Sequence, residues 1–353
     1  MNRLVFNETP AVTPSRARIA VDAWGGDYAP EEIVKACVEA AGQGDIEVVL
    51  VGNGDCLDRE MARLKAHRLP IRFVPADDGV REGESPATAL QYKPNASIFV
   101  AMKMLRAGEV DAVVSAGSSG ATGAGAIRFL GMIPGIDRPA IAAPLGSFAS
   151  NTILMDAGVN ADCKPHHLVG FAIMGTVYAE KLLNVPNPVV GLLSTGAEEG
   201  KGSQVTQEAY QLLKTSGLNF LGNIEGHDVL SGKINVVICD GFVGNVLLKF
   251  YESFGASAAK WLNQRFGKTP LYGIAKKFFN EITSLTQIRD TDSIGGGLLW
   301  GVNGTVFILH GNSRAPQVAR YIRKAKACVD IGIIDTIRSE VARMNEVMAV
   351  QRS

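Results

Sequence analysis

Five loops of this sequence combine glycines with short polar or charged side chains, a composition suited to gripping an anion. Glycine lets consecutive backbone N–H groups converge, and a helix that starts in the loop adds the positive end of its dipole. In chain order the loops are Asp22 to Asp27, with Gly25 and Gly26, and Ser115 to Ala121, with Gly117, Ser118, Ser119 and Gly120. Next come Asp156 to Lys164, with Asn160, and Gly196 to Gly202, where Lys201 stands between Gly200 and Gly202. The fifth is Asp240 to Asn245, with Gly241 and Gly244, and a late segment adds Asn303 and His310.

Each loop has a functional and a plain reading. Asp22 can orient a donor while Gly25 and Gly26 cradle a phosphate, or it can cap a tight turn. Ser118 and Ser119 can donate to phosphate oxygens or cap the next helix. Asn160 offers an amide donor and Lys164 a cation, with Asp162 as a helix cap. Lys201 is the strongest local signal, placed as a phosphate or oxyanion donor; the alternative is a solvated charged turn. Glu198 and Glu199 repel phosphate unless paired, and Lys201 or Lys164 could pair with one. Asn245, across the turn from Asp240, suits an acyl carbonyl, a phosphate or an N-cap. His310 is a candidate general acid or base, or a structural group at a strand end. His166 and His167 tempt a metal reading, but neighbouring helix positions diverge and no third ligand is evident, so no metal is expected. The GxxxxGK[ST] and G-x-S-x-G spacings are absent, and no GxGxxG follows the first strand, which disfavours Walker-type, serine-hydrolase and dinucleotide chemistry.

The elements that must position these loops recur as a β-branched run, a loop and a helical period. Arg18–Asp22, Glu47–Val51, Ile71–Pro75, Asp111–Ser115, Val189–Leu193, Asn235–Cys239 and Thr305–Leu309 read as strands, with Ala140–Leu145 and Thr152–Asp156 as a neighbouring pair. Helices are predicted over 30–41 and 94–107, up to Leu183, up to Lys214, from Val246 and from Ala315. About ten strands alternating with helices indicate a mostly parallel sheet covered on both faces, with ligands at the carboxyl ends of the strands.

Bulk composition narrows the class. The chain has 353 residues and is 46% hydrophobic, enough for a sizeable core. Lys plus Arg equals Asp plus Glu at 35 each, which argues against a general nucleic-acid binder. Cys37, Cys56, Cys163, Cys239 and Cys328 form no CxxC, so a disulfide framework or zinc site has no support and a reducing compartment fits. No apolar run reaches about 18 residues, and the start lacks a signal-peptide core. Residues 1–17 are expected to be a flexible extension ahead of one domain over 18–345.

The ordered set Asp22 to Asp27, Ser115-Ala-Gly to Gly120, Asp156-x-Gly-x-Asn160, Glu199 to Gly202, Gly222 to Gly226, Asp240 to Asn245 and Gly301-Val-Asn-Gly304 with His310 resembles the bacterial phosphate acyltransferase (acyl-ACP:phosphate acyltransferase) of phospholipid synthesis. The resemblance runs from Arg18 to Val341. It implies a three-layer α/β/α sandwich with a large, mostly parallel (mixed) sheet, like isopropylmalate dehydrogenase and phosphate acetyltransferase. It implies acyl transfer from acyl-ACP to inorganic phosphate, no metal or organic cofactor, and a homodimer at the cytoplasmic membrane surface. Contact with the glycerol-3-phosphate acyltransferase that consumes acyl phosphate is implied too. This sequence departs from the family at Trp24 (usually Met), Ser118-Ser119 (Asn-Thr), Val159 (Ala) and Ser194-Thr195 (Asn-Ile). An acidic carrier calls for a basic docking face, for which Arg59, Arg63, Lys65 and Arg68, or Arg320, Arg323, Lys324 and Lys326, are candidates. Over 255–290, Ile274, Phe278, Phe279, Ile282 and Leu285 with Lys276 and Lys277 suit an interfacial helix or a dimer contact. The rival readings are a phosphate acetyl- or butyryltransferase using acyl-CoA, an NAD(P)-dependent dehydrogenase, and a non-catalytic membrane scaffold.

Overall fold

The computed structural model describes residues 16–145, 149, 151–266 and 297–352. The near-continuous apolar runs become strands buried on both faces, as a helix-covered parallel sheet requires. β1 (Ala17–Asp22), β2 (Ile46–Gly52), β3 (Ile71–Pro75), β4 (Ala112–Ser115) and β11 (Thr305–Ile308) pair in parallel in the order β11-β4-β1-β2-β3. A second sheet has the order β10-β5-β6-β9-β7-β8, built from β5 (Ala140–Pro144), β6 (Ile153–Met155), β7 (Val190–Leu193), β8 (Phe220–Ile224), β9 (Val236–Ile238) and β10 (Leu299–Trp300). The sheets join where Leu298 bridges Phe307 antiparallel and the Ile308 N–H donates to Gly297 O at 2.8 Å.

The direction of the strands sets where the loops lie. The contacts β11 to β10, β10 to β5 and β5 to β6 are all antiparallel, while β6, β9, β7 and β8 are parallel to one another. Three reversals, an odd number, leave those last four strands pointing opposite to β1 and β4. The carboxyl ends of the strands are therefore divided between two edges, and the five glycine loops with them. Asp22 to Asp27, Ser115 to Ala121 and His310 lie on one edge of the sheet. Asp156 to Lys164, Gly196 to Gly202 and Asp240 to Asn245 lie on the other.

Helices cover both faces. On one, α1 (Glu31–Ala41), α2 (Gly54–Arg63), α6 (Pro165–Leu182), α7 (Gln204–Lys214), α9 (Ala315–Asp330) and α10 (Ile333–Arg352) pack into a single core spanning both halves. The opposite face holds two separate clusters. One lies under α3 (Pro86–Tyr92), α4 (Ser97–Arg106) and α5 (Ser119–Phe129), and the other lies against α8 (Gly241–Phe266). The helix expected from Ala315 is two helices, because Gly332 takes φ 61°, a left-handed conformation that ends α9. The helix expected over 94–107 starts only at Ser97. Ala17 belongs to β1 rather than to a loose extension, and the Arg16 Nε donates to Gly44 O at 2.7 Å. Ile274, Phe278, Phe279, Ile282, Leu285, Lys276 and Lys277 lie outside the described residues. Among the described residues no helix is long and apolar enough to cross a membrane.

Candidate active site

β1 ends in Asp22, which is buried at the centre of the first edge. Its carboxylate accepts from Ser97 Oγ at 2.5 Å, Ser115 Oγ at 2.7 Å and the Trp24 N–H at 3.2 Å. Ser115 Oγ in turn accepts from the Gly117 N–H at 3.0 Å. Burial pushes the Asp22 carboxyl above its ordinary value, against the opposing pull of Ser97 and Ser115. A Cβ on Gly25 would lie 2.7 Å from both Asp22 Oδ2 and Gly117 N, so only glycine lets the loops after β1 and β4 touch. Gly26, at φ 104°, makes the turn that follows. The Asp27 N–H donates to Gly311 O at 2.8 Å and draws in the loop after β11, where His310 is exposed.

α5 starts at the same point. Ser118 caps it by accepting from the Ala121 N–H at 3.4 Å, and the first-turn N–H groups of Ser119 and Gly120 have no carbonyl inside the helix to meet. The N-cap Ser118 and the preceding Gly117 line a pocket of about 230 Å³ bounded also by Trp24, Gly26, Gly79 and Arg81 among others. Of the described residues lining it, Arg81 is the sole cation, and Asp27, Asp78 and Glu82 are carboxylates. Sequence reasoning missed Arg81, which stands in a segment without periodicity. It also missed Ser97, whose bond to Asp22 spans 75 positions of the chain.

The second edge is organised by Asp156, which is fully buried. It accepts from the backbone N–H groups of Ile141, Gly158, Val159 and Asn160 at 2.8–3.2 Å. The Asn160 side chain gives its two amide hydrogens to Pro139 O at 2.7 Å and Asp156 Oδ2 at 2.8 Å. Asn160 thus braces the loop and has no donor left for a ligand, a correction to its expected role. Asp240 Oδ1 caps α8 by accepting from the Val243 N–H at 2.8 Å. The Gly241 N–H donates to Asn160 O at 2.7 Å, and Asn245 packs over Gly158. Lys201 is exposed and has no ion pair among the described residues. Its N–H donates to Glu198 O at 3.0 Å, a carbonyl that also receives Asn223 Nδ2 at 2.8 Å. Gly202, at φ 92°, closes this turn, and Gly200 is open to solvent. Glu199 pairs with Lys214 at 3.2 Å, not with Lys201 or Lys164. Asn303 precedes β11 and lies on this edge, where its Oδ1 accepts from Arg338 Nη2 at 2.6 Å, away from His310.

Lys164, exposed, precedes α6, and its N–H donates to His167 Nδ1 at 3.0 Å. Asp137 brings a third possible ligand atom within 4.8 Å of His166 and His167. Yet His167 Nδ1 is occupied as an acceptor and His166 Nε2 faces Asp137 at 3.1 Å, so a cap and this contact account for the group. Burial, then His166 and Arg138, hold the His167 imidazole below its ordinary value of 6.5. Its neutral form is the one that caps, so this contribution is complete above pH 6.5 and is lost as pH falls through the lowered value. Thermal unfolding of His167→Asn, which keeps an acceptor near Nδ1, is expected to show less acid loss than the parent. Identical pH slopes would refute the cap.

A family model described as a fatty acid synthesis protein matches residues 17–336. A protein named phosphate acyltransferase from Thermosynechococcus vestitus is 46% identical over 330 residues, covering 92% of this chain and 95% of that one. Another of that name from Pelotomaculum thermopropionicum is 44% identical over 325 residues, with 92% and 95% covered. Among solved structures, a phosphotransacetylase from Streptococcus pyogenes superposes with a TM-score of 0.61 at 16% identity over 88% of this chain and 94% of its own. A 4-hydroxythreonine-4-phosphate dehydrogenase from Salmonella typhimurium gives 0.51 at 12% identity over 88% and 98%. These two show a shared fold.

Proposed function

Because this chain belongs to the phosphate acyltransferase family, whose members are acyltransferases, we propose that it moves a fatty acyl group from acyl-ACP to inorganic phosphate in the pocket at the start of α5. One observation carries the placement: Gly117 and Ser118, which lead into α5, line a cavity whose single lining cation is Arg81. A helix N-terminus with an arginine opposite is a phosphate grip.

The chemistry needs little more. A phosphate oxygen attacks the thioester carbon, a C–O bond forms, and the carbonyl oxygen becomes an oxyanion. Collapse breaks the C–S bond and the thiolate leaves, to be protonated afterwards. Phosphate is already nucleophilic, so the protein contributes orientation and oxyanion donors. Ser118, Ser119, Gly117 and Gly120 hold the acceptor. Asp22, Gly25 and Gly26 shape the loop. His310, exposed beside Gly311, is the group to protonate the leaving thiolate. No metal or organic cofactor has a step to perform. A homodimer working at the membrane surface, passing acyl phosphate to a glycerol-3-phosphate acyltransferase, belongs to the same proposal. A monomer in sedimentation at assay concentration would remove the dimer from it.

Incubation with long-chain acyl-ACP is expected to release free ACP only when phosphate is present. Folded protein that releases none would sink the reading, and turnover confined to short acyl-CoA would move it to an acetyl- or butyryltransferase. A second reading places phosphate on the other edge at Lys201 and Asn245, with Lys164 as a further cation of that edge. What favours it is the unpaired Lys201 on a turn braced by Asn223. Lys201→Ala decides between the edges: a loss of about 100-fold or more in kcat/KM, the scale of a lost oxyanion donor, would relocate the reaction there.

A further inference from the structure

We propose that Lys93 is a positioning residue that holds Arg81 at the phosphate; this rests on the pocket being the phosphate site. Lys93 follows α3, and its side chain is three-quarters buried against the pocket wall. An ammonium has three N–H donors, and here three acceptors of one loop surround it. Asp78 Oδ2 and Glu84 Oε1 each lie at 2.9 Å and Gly79 O at 3.1 Å. Lys93 therefore ties together the two ends of the loop from Asp78 to Glu84.

Arg81 is the residue at the middle of that loop. Glu84 brackets its backbone on both sides: Glu84 Oε1 accepts from the Arg81 N–H at 3.2 Å, and the Glu84 N–H donates to Arg81 O at 3.2 Å. The carboxylate oxygen that fixes Arg81 is thus the one gripped by Lys93. Gly79 closes the other end against Trp24, where an added Cβ would come within 2.6 Å of the Trp24 Cβ. The Arg81 guanidinium itself has no ion pair among the described residues, so its planar fork is available to a phosphate. Hydrogen bonding from Lys93 also holds the Asp78 and Glu84 carboxyls below their ordinary range, which keeps the clip charged further into acid.

The neighbouring carboxylates raise a rival account, in which Lys93 only neutralises charge that would repel phosphate. A double-mutant cycle on the full-length enzyme separates the two. Arg81→Ala is expected to raise the phosphate KM about tenfold or more, the scale of a lost charge-assisted hydrogen bond, with the acyl-donor KM unchanged. Lys93→Met is expected to raise the phosphate KM severalfold in the parent and to add nothing in the Arg81→Ala background. An equal penalty in both backgrounds would overturn the proposal, because charge neutralisation does not need Arg81. An unchanged phosphate KM in Lys93→Met would overturn it too. An unchanged phosphate KM in Arg81→Ala would instead strike the placement of phosphate, and the proposal with it. Should Lys93→Met not fold, Lys93→Gln, which keeps a donor, runs through the same cycle.

Discussion

Asp22→Ala is expected to lower phosphate-dependent kcat/KM by about 100-fold or more and to lower the melting temperature as well. The substitution removes the acceptor for two buried hydroxyls, Ser97 and Ser115, and each unsatisfied group costs about 1–3 kcal/mol. It also frees Ser115, whose oxygen fixes the Gly117 N–H at the mouth of α5. Asp22→Asn makes the informative comparison. It keeps an acceptor for Ser97 but places an NH2 where Ser115 donates, so Ser115 must turn its hydroxyl away. Turnover is expected to fall between parent and Asp22→Ala. Full activity in Asp22→Ala, measured on folded protein, would remove the pocket from the reaction.

The second large effect is on folding. A Cβ added to Gly244 would lie 1.9 Å from Asp156 O, and that atom belongs to backbone held by a fully buried carboxylate. Neither partner can yield. Gly244 sits in the first turn of α8, and Asp156 gathers the whole preceding loop. Gly244→Ala is therefore expected to cost more than about 4 kcal/mol, beyond the range of most single substitutions. Soluble protein with an unchanged melting temperature would show that the loop after β6 moves freely, contrary to its hydrogen bonding. Gly200→Ala is the control, because nothing lies near its Cβ position.

Much of the fold could be read from the chain. Arg18–Asp22, Asp111–Ser115 and Thr305–Leu309 announced themselves as buried parallel strands by their apolar runs, and the glycine loops followed each. What could not be read was direction. β10 is only two residues long, too short for any periodicity, yet it supplies two of the three reversals that send Lys201 and Ser118 to opposite edges. Asn303 and His310 illustrate the same difficulty. They are near in sequence and both polar, but a four-residue strand carries the chain about 13 Å between them, from one edge to the other. The pocket itself depends on Ser97 and Arg81, whose roles come from tertiary contacts with no local signature.

The unequal packing of the two faces has a mechanical consequence. One continuous core ties both halves of the sheet together on the side of α1 and α6. On the other side the clusters are separate, and Ile141 packs at the margin of each. The sheet is thus bound along one side and divided along the other. Bending between its halves has a preferred sense, spreading the α5 side from the α8 side while the bound face acts as the spine. The pocket before α5 is walled by loops of one half alone, so such bending would carry it as a unit.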